Sequence, residues 1–412
     1  MPRQAAAPSL PKRVVVTVIS DLVTDQRVHK VCRTLHENGY EILLIGARRR
    51  KSLPLNRRSY EARRITMLFQ KKVFFYAEFN LRLFFLLLFS RADIFLGNDL
   101  DVMAATWLAA RIRRRPIVYD THEYYMGMPE LNGKPLIKKI WGALESFIFP
   151  RLRHIYTICD SFCALYKKDY GKELRSVRNV PYLHAEAALT PDPVSPSDPT
   201  GRSSFTQFSD QAALLAEIDA KIPRYKHVLL FQGAGINPER GVEELVMAMR
   251  YLDPLQFHLL IIGGGDIFHL IKEMVSQEDL GDRITIFPKV PFDVLRHITR
   301  QAHLGLSLDK PNNINHIYGL PNKIFDYLHS GVPVLVSRLV ELEKIVNEYR
   351  VGAFIENHEP RYIASRIREV FDDPQSLQRW KENTEKVRQE LNWEKESRIV
   401  LEIFEQVELQ NS

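Results

Sequence analysis

Val14-Val15-Val16-Thr17-Val18-Ile19 opens a unit that continues through the polar turn Ser20–Asp25 and closes on Tyr40-Glu41-Ile42-Leu43-Leu44-Ile45. Both apolar runs lack the alternation of a half-exposed strand, which is the pattern of strands buried on both faces of a parallel sheet. Between them Val28, Val31, Cys32 and Leu35 recur at helical spacing, and Asn38-Gly39 supplies a helix C-cap. Strand, helix and strand in about thirty residues make a βαβ unit, whose two strands must be parallel.

The alternation continues outward. Ile94-Phe95-Leu96 predicts a strand, residues 102–111 a helix, Pro116–Asp120 a strand, residues 137–149 a helix and His154–Ile158 a strand. Four prolines in residues 190–201 mark a linker or loop. A second series follows Lys226, with strands at 227–231, 257–262, 284–287, 304–308 and 333–336 and helices at 242–250 and 267–276. The expected fold class is α/β, with two Rossmann-like doubly wound domains facing a cleft. The boundaries expected are a frayed tail over 1–11, a first domain over 12–189, a linker over 190–224, a second domain over 225–385 and a terminal helix over 386–412. That helix begins at about Leu377 as a charged, amphipathic pattern. Ligand is expected outside the carboxyl ends of the strands.

Length and composition agree with two folded domains. The chain has 412 residues, 45% hydrophobic and 26% charged, which excludes disorder and a membrane-embedded body. Three cysteines make no disulfide framework, so a reducing compartment is expected, and Cys159-x3-Cys163 has no second half to complete a metal site. No apolar run of a secretion signal stands at Met1–Pro8, so a cytoplasmic location is expected. Charge is uneven: residues 1–190 hold 32 Lys and Arg against 17 Asp and Glu, while the remainder holds 25 against 33. Two halves of opposite sign call for different partners.

Several groups could carry chemistry. Phe231-Gln-Gly-Ala-Gly235 and Ile262-Gly-Gly-Gly265 follow strands, though neither is the dinucleotide G-x-G-x-x-G. Gly235 and Gly264 could admit a phosphate to the backbone, and Arg240, ahead of a helix, adds a full charge. The bland reading is tight turns and a solvated arginine. Asp120, His122 and Glu123, just after a strand, suit hydrogen bonding or proton handling, against a plain polar loop. Asn98 and Asp99 read as N-caps of the next helix. The segment Asn312–Val336 is the densest: Pro321 opens a helix carrying Lys323 and Asp326, and a lysine at a helix start hints at a bound anion.

Taken in order, Asp25-Gln-Arg-Val-His-Lys30 with Asn38-Gly-Tyr40, Tyr119-Asp-Thr-His-Glu123, Arg240-Gly-Val-Glu-Glu-Leu-Val-Met-Ala248, Ile262–Gly265 and Pro321-Asn-Lys-Ile-Phe-Asp-Tyr327 with Gly331-Val-Pro-Val resemble the family 4 glycosyltransferases of the GT-B fold. The resemblance spans nearly the whole chain. It implies a hexosyl transfer from a nucleotide-sugar to a glycan or lipid-linked acceptor, with retention and without a metal or separate cofactor. It also implies a donor site on the C-terminal domain, an acceptor site on the N-terminal domain, and a last helix crossing back to the latter. The family's two glutamates, eight residues apart, fall on Tyr318 and Asp326. Asp326 would hold the donor ribose, and Asn315, His316 or Asn322 would replace the missing sugar contact beside Tyr318. Ala234 stands where the family's first arginine is expected, so Arg240 and Lys323 would meet the diphosphate, with Gly235 and Gly264 beside it. His122 would be a positioning or proton-handling group, and Asp25, Asp120 and Glu123 would lie on the acceptor side. A surface polysaccharide, lipopolysaccharide or glycolipid pathway is implied. A GT-B epimerase and a non-catalytic nucleotide-sugar-binding module are the alternatives.

Val73–Phe89, interrupted by Glu78, Asn80 and Arg82, is shorter than the about 20 apolar residues of a spanning helix. One reading buries it on the first sheet. The other lays it on an anionic membrane surface, with Arg48–Lys51, Arg57-Arg58, Arg63-Arg64 and Lys71-Lys72 beside it, as a peripheral protein at the inner face of the membrane. No nucleic-acid-reading motif accompanies the basic residues, so no nucleic acid is expected.

Overall fold

The computed structural model describes residues 11–183 and 213–411, apart from Thr24, Lys51, Leu53, Asn56, Arg224 and Tyr225. Residues 1–10 and the proline-rich stretch 190–201 lie outside the described residues. The chain forms two compact units, one running to Asn179 and resuming at Glu394, the other formed mainly by residues 195–393 and beginning at Val180.

In the first unit seven strands run β1 (Arg13–Thr17), β2 (Glu41–Arg48), β3 (Glu61–Thr66), β4 (Ile94–Asn98), β5 (Ile117–Thr121), β6 (His154–Thr157) and β7 (Arg175–Ser176), with helices α1 (Gln26–Glu37), α2 (Lys72–Phe89), α3 (Met103–Arg113), α4 (Pro135–Ile148) and α5 (Asp160–Tyr170). Their order is β3-β2-β1-β4-β5-β6-β7. Neighbours are parallel, with Val15 opposite Leu43 on one side and Phe95 on the other. Val14, Val15 and Val16 are fully buried, which is why their run shows no polar alternation. Asp25 caps α1 by accepting from the Val28 amide at 3.0 Å, and Gly39 takes φ +88° just past its end.

The second unit repeats the plan with β8 (His227–Gly233), β9 (Phe257–Gly263), β10 (Ile284–Pro288), β11 (Leu304–Ser307), β12 (Val334–Ser337) and β13 (Gly352–Ile355), in the order β10-β9-β8-β11-β12-β13. Its helices are α6 (213–221), α7 (Val242–Ala248), α8 (Phe268–Gln277), α9 (Phe292–Thr299), α10 (Ile314–Tyr318), α11 (Lys323–His329), α12 (Val340–Tyr349), α13 (Pro360–Asp372) and α14 (Pro374–Glu390). Strand order reverses between β1 and β4 and again between β8 and β11, so each sheet is doubly wound with a crevice at the carboxyl ends of those strands.

Three expectations change. Residues 213–221 are helix, held to the second unit by Asp219, which pairs with His297 at 2.9 Å and accepts from Gln301 Nε2 at 2.7 Å. The passage between units falls at Asn179/Val180 instead of near residue 189. The single terminal helix is two: the buried Asn392 side chain donates to the Arg388 and Gln389 carbonyls at 2.9 and 3.0 Å, ending α14 before α15 (Trp393–Leu409) begins. From Glu394 onward α15 belongs to the first unit. There Glu408 pairs with Lys12 at 2.9 Å, Glu402 with Arg175 at 2.7 Å, and Phe404 packs edge-on to Tyr40.

Candidate functional site

In the second unit the crevice at the reversal of strand order is built around an acid the sequence reading passed over. Asp309 follows the buried strand β11, and its side chain is only 2% exposed. Arg240 Nη1 reaches Asp309 Oδ1 at 3.1 Å, and Lys323 Nζ lies 3.9 Å from Oδ2. Gly241 makes the first contact feasible. It has φ +73°, and a Cβ there would fall 2.2 Å from the Leu308 carbonyl oxygen, so only glycine lets the turn before α7 abut the end of β11. Glu239, just before Arg240, also takes a left-handed φ of +70°, and its carbonyl accepts from the Lys310 amide at 2.9 Å.

The electrostatics follow from this packing. Burial pulls the Lys323 ammonium below its ordinary range, with Arg240 in the same direction and Asp309 opposing. Burial pushes the Asp309 carboxyl up, but Lys323 and Arg240 outweigh it and hold the group below the usual carboxylate range. Lys323 also sits 4.3 Å from the Phe231 ring centroid, one apolar wall of its niche. The two cations expected to face a diphosphate thus share one carboxylate, leaving one net positive charge.

Asp326, on the first turn of α11, accepts from Gln232 Nε2 at 3.2 Å. Gln232 is buried and fixed from three sides: its amide donates to the Tyr327 hydroxyl at 3.0 Å, Thr299 Oγ1 donates to its Oε1 at 2.9 Å, and its side-chain amide holds Asp326. Asn322 stands just ahead of α11, and Asn315 and Tyr318 lie on the short helix α10, capped by Asn313 at the His316 amide. His316 Nδ1 lies 3.1 Å from the Lys310 carbonyl oxygen, and burial lowers its pKa.

The glycines divide by role. A Cβ on Gly263 would lie 1.9 Å from the Gly233 oxygen, and one on Gly265 2.4 Å from the Ile236 nitrogen, so these two interlock the loops after β8 and β9. Gly235 and Gly264 press on no backbone, the nearest atoms being Asn237 Nδ2 at 3.5 Å and Lys289 Cε at 3.1 Å.

In the first unit a second polar cluster gathers at the ends of β4 and β5. Asp120 is fully buried and accepts bidentately from Arg27, Nε at 3.0 Å and Nη2 at 2.7 Å, while Arg27 Nη1 donates to the Val177 carbonyl at 2.7 Å. Burial opposes ionisation of Asp120, yet Arg27 and His122 hold its pKa down to about 2. His122 lies between two carboxylates, Nδ1 3.1 Å from Asp99 Oδ2 and Nε2 3.2 Å from Asp120 Oδ2. Burial pulls the imidazole down, but Asp99 and Asp120 together raise it well above its ordinary range. The expected capping by Asn98 and Asp99 does not occur. Asn98 Nδ2 donates to the Thr17 carbonyl at 3.0 Å across the reversal point, and Asp99, at φ +64°, accepts instead from the His122 amide at 2.8 Å. Asp25 is occupied as the α1 cap and by Ser20, and Glu123 is exposed, its carbonyl accepting from Thr121 Oγ1 at 2.8 Å. Among the described residues no three His, Cys, Asp or Glu converge on a point that could hold a metal ion.

Asp309, Gln232, Arg27 and Asp99 were missed as site residues. Asp309 could have been found from its place directly after a buried strand, and Arg27 from the motif Asp25–Lys30. Gln232 and Asp99 carried no local signal beyond a strand end.

Two doubly wound units with polar clusters at their strand ends define the GT-B class. Residues 25–181 match the family model described as glycosyltransferase family 4, and residues 217–387 the model described as glycosyl transferases group 1. The chain belongs to the family 4-type glycosyltransferases of the GT-B fold. A curated glycosyltransferase of Methanocaldococcus jannaschii is 22% identical over 178 residues, 43% of this chain. The chain spans about half the length of that relative, 48%. Sucrose-phosphate synthase from Thermosynechococcus elongatus superposes with a TM-score of 0.75 at 14% identity, over 97% of this chain and 100% of that one. Anabaena HepE, in complex with UDP-glucose, gives 0.67 at 12% identity over 96% and 99%, and WaaG, a glycosyltransferase involved in lipopolysaccharide biosynthesis, gives 0.67 at 14% over 94% and 99%.

Proposed function

We propose that the protein transfers a hexosyl group from a nucleotide-sugar to a glycan or lipid-linked acceptor with retention of anomeric configuration, in surface polysaccharide, lipopolysaccharide or glycolipid synthesis. The observation that carries this reading is the Arg240–Asp309–Lys323 cluster at the crevice of the second unit, with Asp326 held by Gln232 beside it. One net positive charge in a half-buried niche suits a diphosphate leaving group, whose developing charge must be met without reorganisation. Asp326 is the ribose ligand, Asn315, Tyr318 and Asn322 line the sugar end, and Gly235 and Gly264 admit the phosphates. In the transfer, the acceptor oxygen bonds to the anomeric carbon on the face from which the diphosphate departs. The bond to the β-phosphate oxygen breaks, and the acceptor proton passes to that oxygen. His122, clamped by Asp99 and Asp120, is a positioning or proton-handling group, with Asp25, Asp120 and Glu123 on the acceptor side. No separate cofactor and no metal ion enter this scheme. Structural neighbours add support: Anabaena HepE is in complex with UDP-glucose, and an Arabidopsis starch synthase is bound to ADP and acarbose. WaaG belongs to lipopolysaccharide biosynthesis. Three cysteines in 412 residues favour a reducing, cytoplasmic setting.

The test is a panel of UDP-, GDP- and ADP-sugars, scored by thermal stabilisation, by donor turnover and by proton NMR of the product anomer. Arg240→Ala and Lys323→Ala should each weaken the preferred donor by about 1.5–3 kcal/mol, the worth of a charge-assisted contact. Absence of donor stabilisation in the wild type, or unchanged donor affinity in both variants, sinks the reading. An inverted product anomer sinks retention alone.

A further inference from the structure

We infer that the face of the first unit formed by α2, α3 and α4 lies against an anionic lipid bilayer. Among the described residues, eighteen large apolar side chains are well exposed, and twelve of them fall between Leu68 and Phe147. Scattered exposed leucines need no explanation, but a concentration of this kind marks an interaction surface.

Topology puts the three helices side by side. The steps β3 to β4, β4 to β5 and β5 to β6 all run the same way across the sheet, so right-handed crossovers place α2, α3 and α4 on one face. Ring contacts join them, Tyr76 to Trp141 at 5.7 Å and Trp107 to Phe147 at 5.4 Å. Helix α2 carries two apolar stripes. Phe75, Phe79, Leu83 and Leu87 are buried on the sheet, while Val73, Leu81, Phe85 and Phe89 repeat at four- and eight-residue steps on the opposite, exposed side. A helix apolar all round belongs in a core or against another apolar medium. Leu136, Ile140 and Phe147 continue the exposed surface along α4, and Leu108 and Ile112 along α3.

The rim is constructed too. Glu78, the one acid of α2, accepts from the Leu68 and Phe69 amides at 3.1 and 2.9 Å, holding both side chains outward beside Phe74. Glu145, the one acid of α4, is buried. Arg82 pairs with Glu78 at 2.8 Å, so the exposed charges left over on these helices are basic: Arg111, Lys138 and Lys139, with Arg151 stacked 4.1 Å over Phe147. The basic clusters singled out in the sequence sit elsewhere in part, since Arg58 is bonded to Tyr60 and Leu22 and Arg64 pairs with Asp21.

Apolar stripes edged with cations fit a bilayer carrying anionic headgroups. A symmetric second copy would set the same cations against each other. Helix α2, eighteen residues and about 27 Å long, lies in the interface, and no described helix is long and apolar enough to cross a membrane.

Flotation of the full chain tests this, with vesicles of phosphatidylcholine alone and of phosphatidylcholine and phosphatidylglycerol in equal parts, at low and high salt. The wild type should float with the anionic vesicles, more strongly at low salt. Arg111→Gln with Lys138→Gln and Lys139→Gln should lose about five-fold in partitioning per charge. Leu81→Ser with Phe85→Ser should lose about ten-fold or more at either salt, with far-UV circular dichroism and nucleotide-induced thermal stabilisation unchanged. Equal recovery from both vesicle types, or no flotation, overturns the proposal. So does a doubled mass in sedimentation that the Leu81→Ser, Phe85→Ser variant returns to monomer while vesicles recover nothing, because then a second copy covers the face.

Discussion

Replacing Asp309 with Asn should weaken the protein and, in the same variant, strengthen the response to a nucleoside diphosphate. The carboxylate side chain is 2% exposed and attracts Arg240 at 3.1 Å and Lys323 at 3.9 Å. At an effective dielectric constant of about 20, each attraction is worth about 4–5 kcal/mol before the cost of burying the charges. Breaking a buried pair costs about 3–5 kcal/mol, and Arg240 is one-third exposed, so solvent screens part of its share. The expected loss is about 2–4 kcal/mol. For a unit of this size that lowers the midpoint of thermal unfolding by about 5–15 °C. The niche then holds two cations with no anion, and a diphosphate supplies the negative charge that the substitution took away. Thermal unfolding by circular dichroism, with and without the preferred nucleoside diphosphate, should show a larger ligand-induced shift in the variant than in the wild type. Isothermal titration should show affinity unchanged or improved. A variant as stable as the wild type, or one whose affinity falls as far as that of Arg240→Ala, refutes the view that Asp309 competes with the ligand for these cations.

Burial raises the Glu145 carboxyl from 4.5 to about 7, against the hydrogen bond that Tyr170 donates to it at 2.9 Å, so the folded state binds a proton the unfolded state releases between those values. Stability should therefore fall as pH rises through that window, by about 1.4 kcal/mol per unit at most. Glu145→Gln should be the more stable form at pH 8 and nearly neutral in effect at pH 4, measured by urea titration. His122, raised by Asp99 and Asp120, stabilises below its unfolded value and loses that contribution as pH rises through its elevated folded value; His122→Gln should flatten the alkaline limb of the stability profile. Arg27→Met leaves Asp120 buried without its bidentate partner and should cost about 3–5 kcal/mol, while adding Asp120→Leu should recover much of it in denaturant unfolding. Gly241→Ala should cost about 2 kcal/mol or more and weaken donor binding with it, because its Cβ would meet the Leu308 oxygen at 2.2 Å; wild-type stability and affinity in that variant would contradict the abutment.

The fold was legible because its signals are local. Val14–Ile19 and Glu41–Ile45 declare buried parallel strands by the absence of alternation, Asp25 and Gly39 punctuate the helix between them, and the pattern repeats after Lys226. The break at Asn392 was not legible, because a helical period runs through it, and α14 ends where the Asn392 side chain folds onto the Arg388 carbonyl and the Trp393 amide donates to the Pro181 carbonyl, a contact distant in sequence.

Residue type and spacing thus determined the central strands of both sheets, several of the helices, the two doubly wound units and the strand ends at which polar groups would collect, but not the edge strands β3, β7 and β13. They also singled out Arg240, Lys323, Asp326 and His122 as chemically able. What those groups face was decided only by tertiary structure. Arg240 and Asp309 are 69 residues apart, and Arg27 and Asp120 are 93 apart. Each pair meets because strand order reverses between β8 and β11 or between β1 and β4, which no local pattern encodes. The same holds for α2. Its composition shows an apolar helix, but which stripe the sheet covers and which is left at the surface depends on the rotation at which the helix docks, and docking is settled by packing against strands distant in the chain.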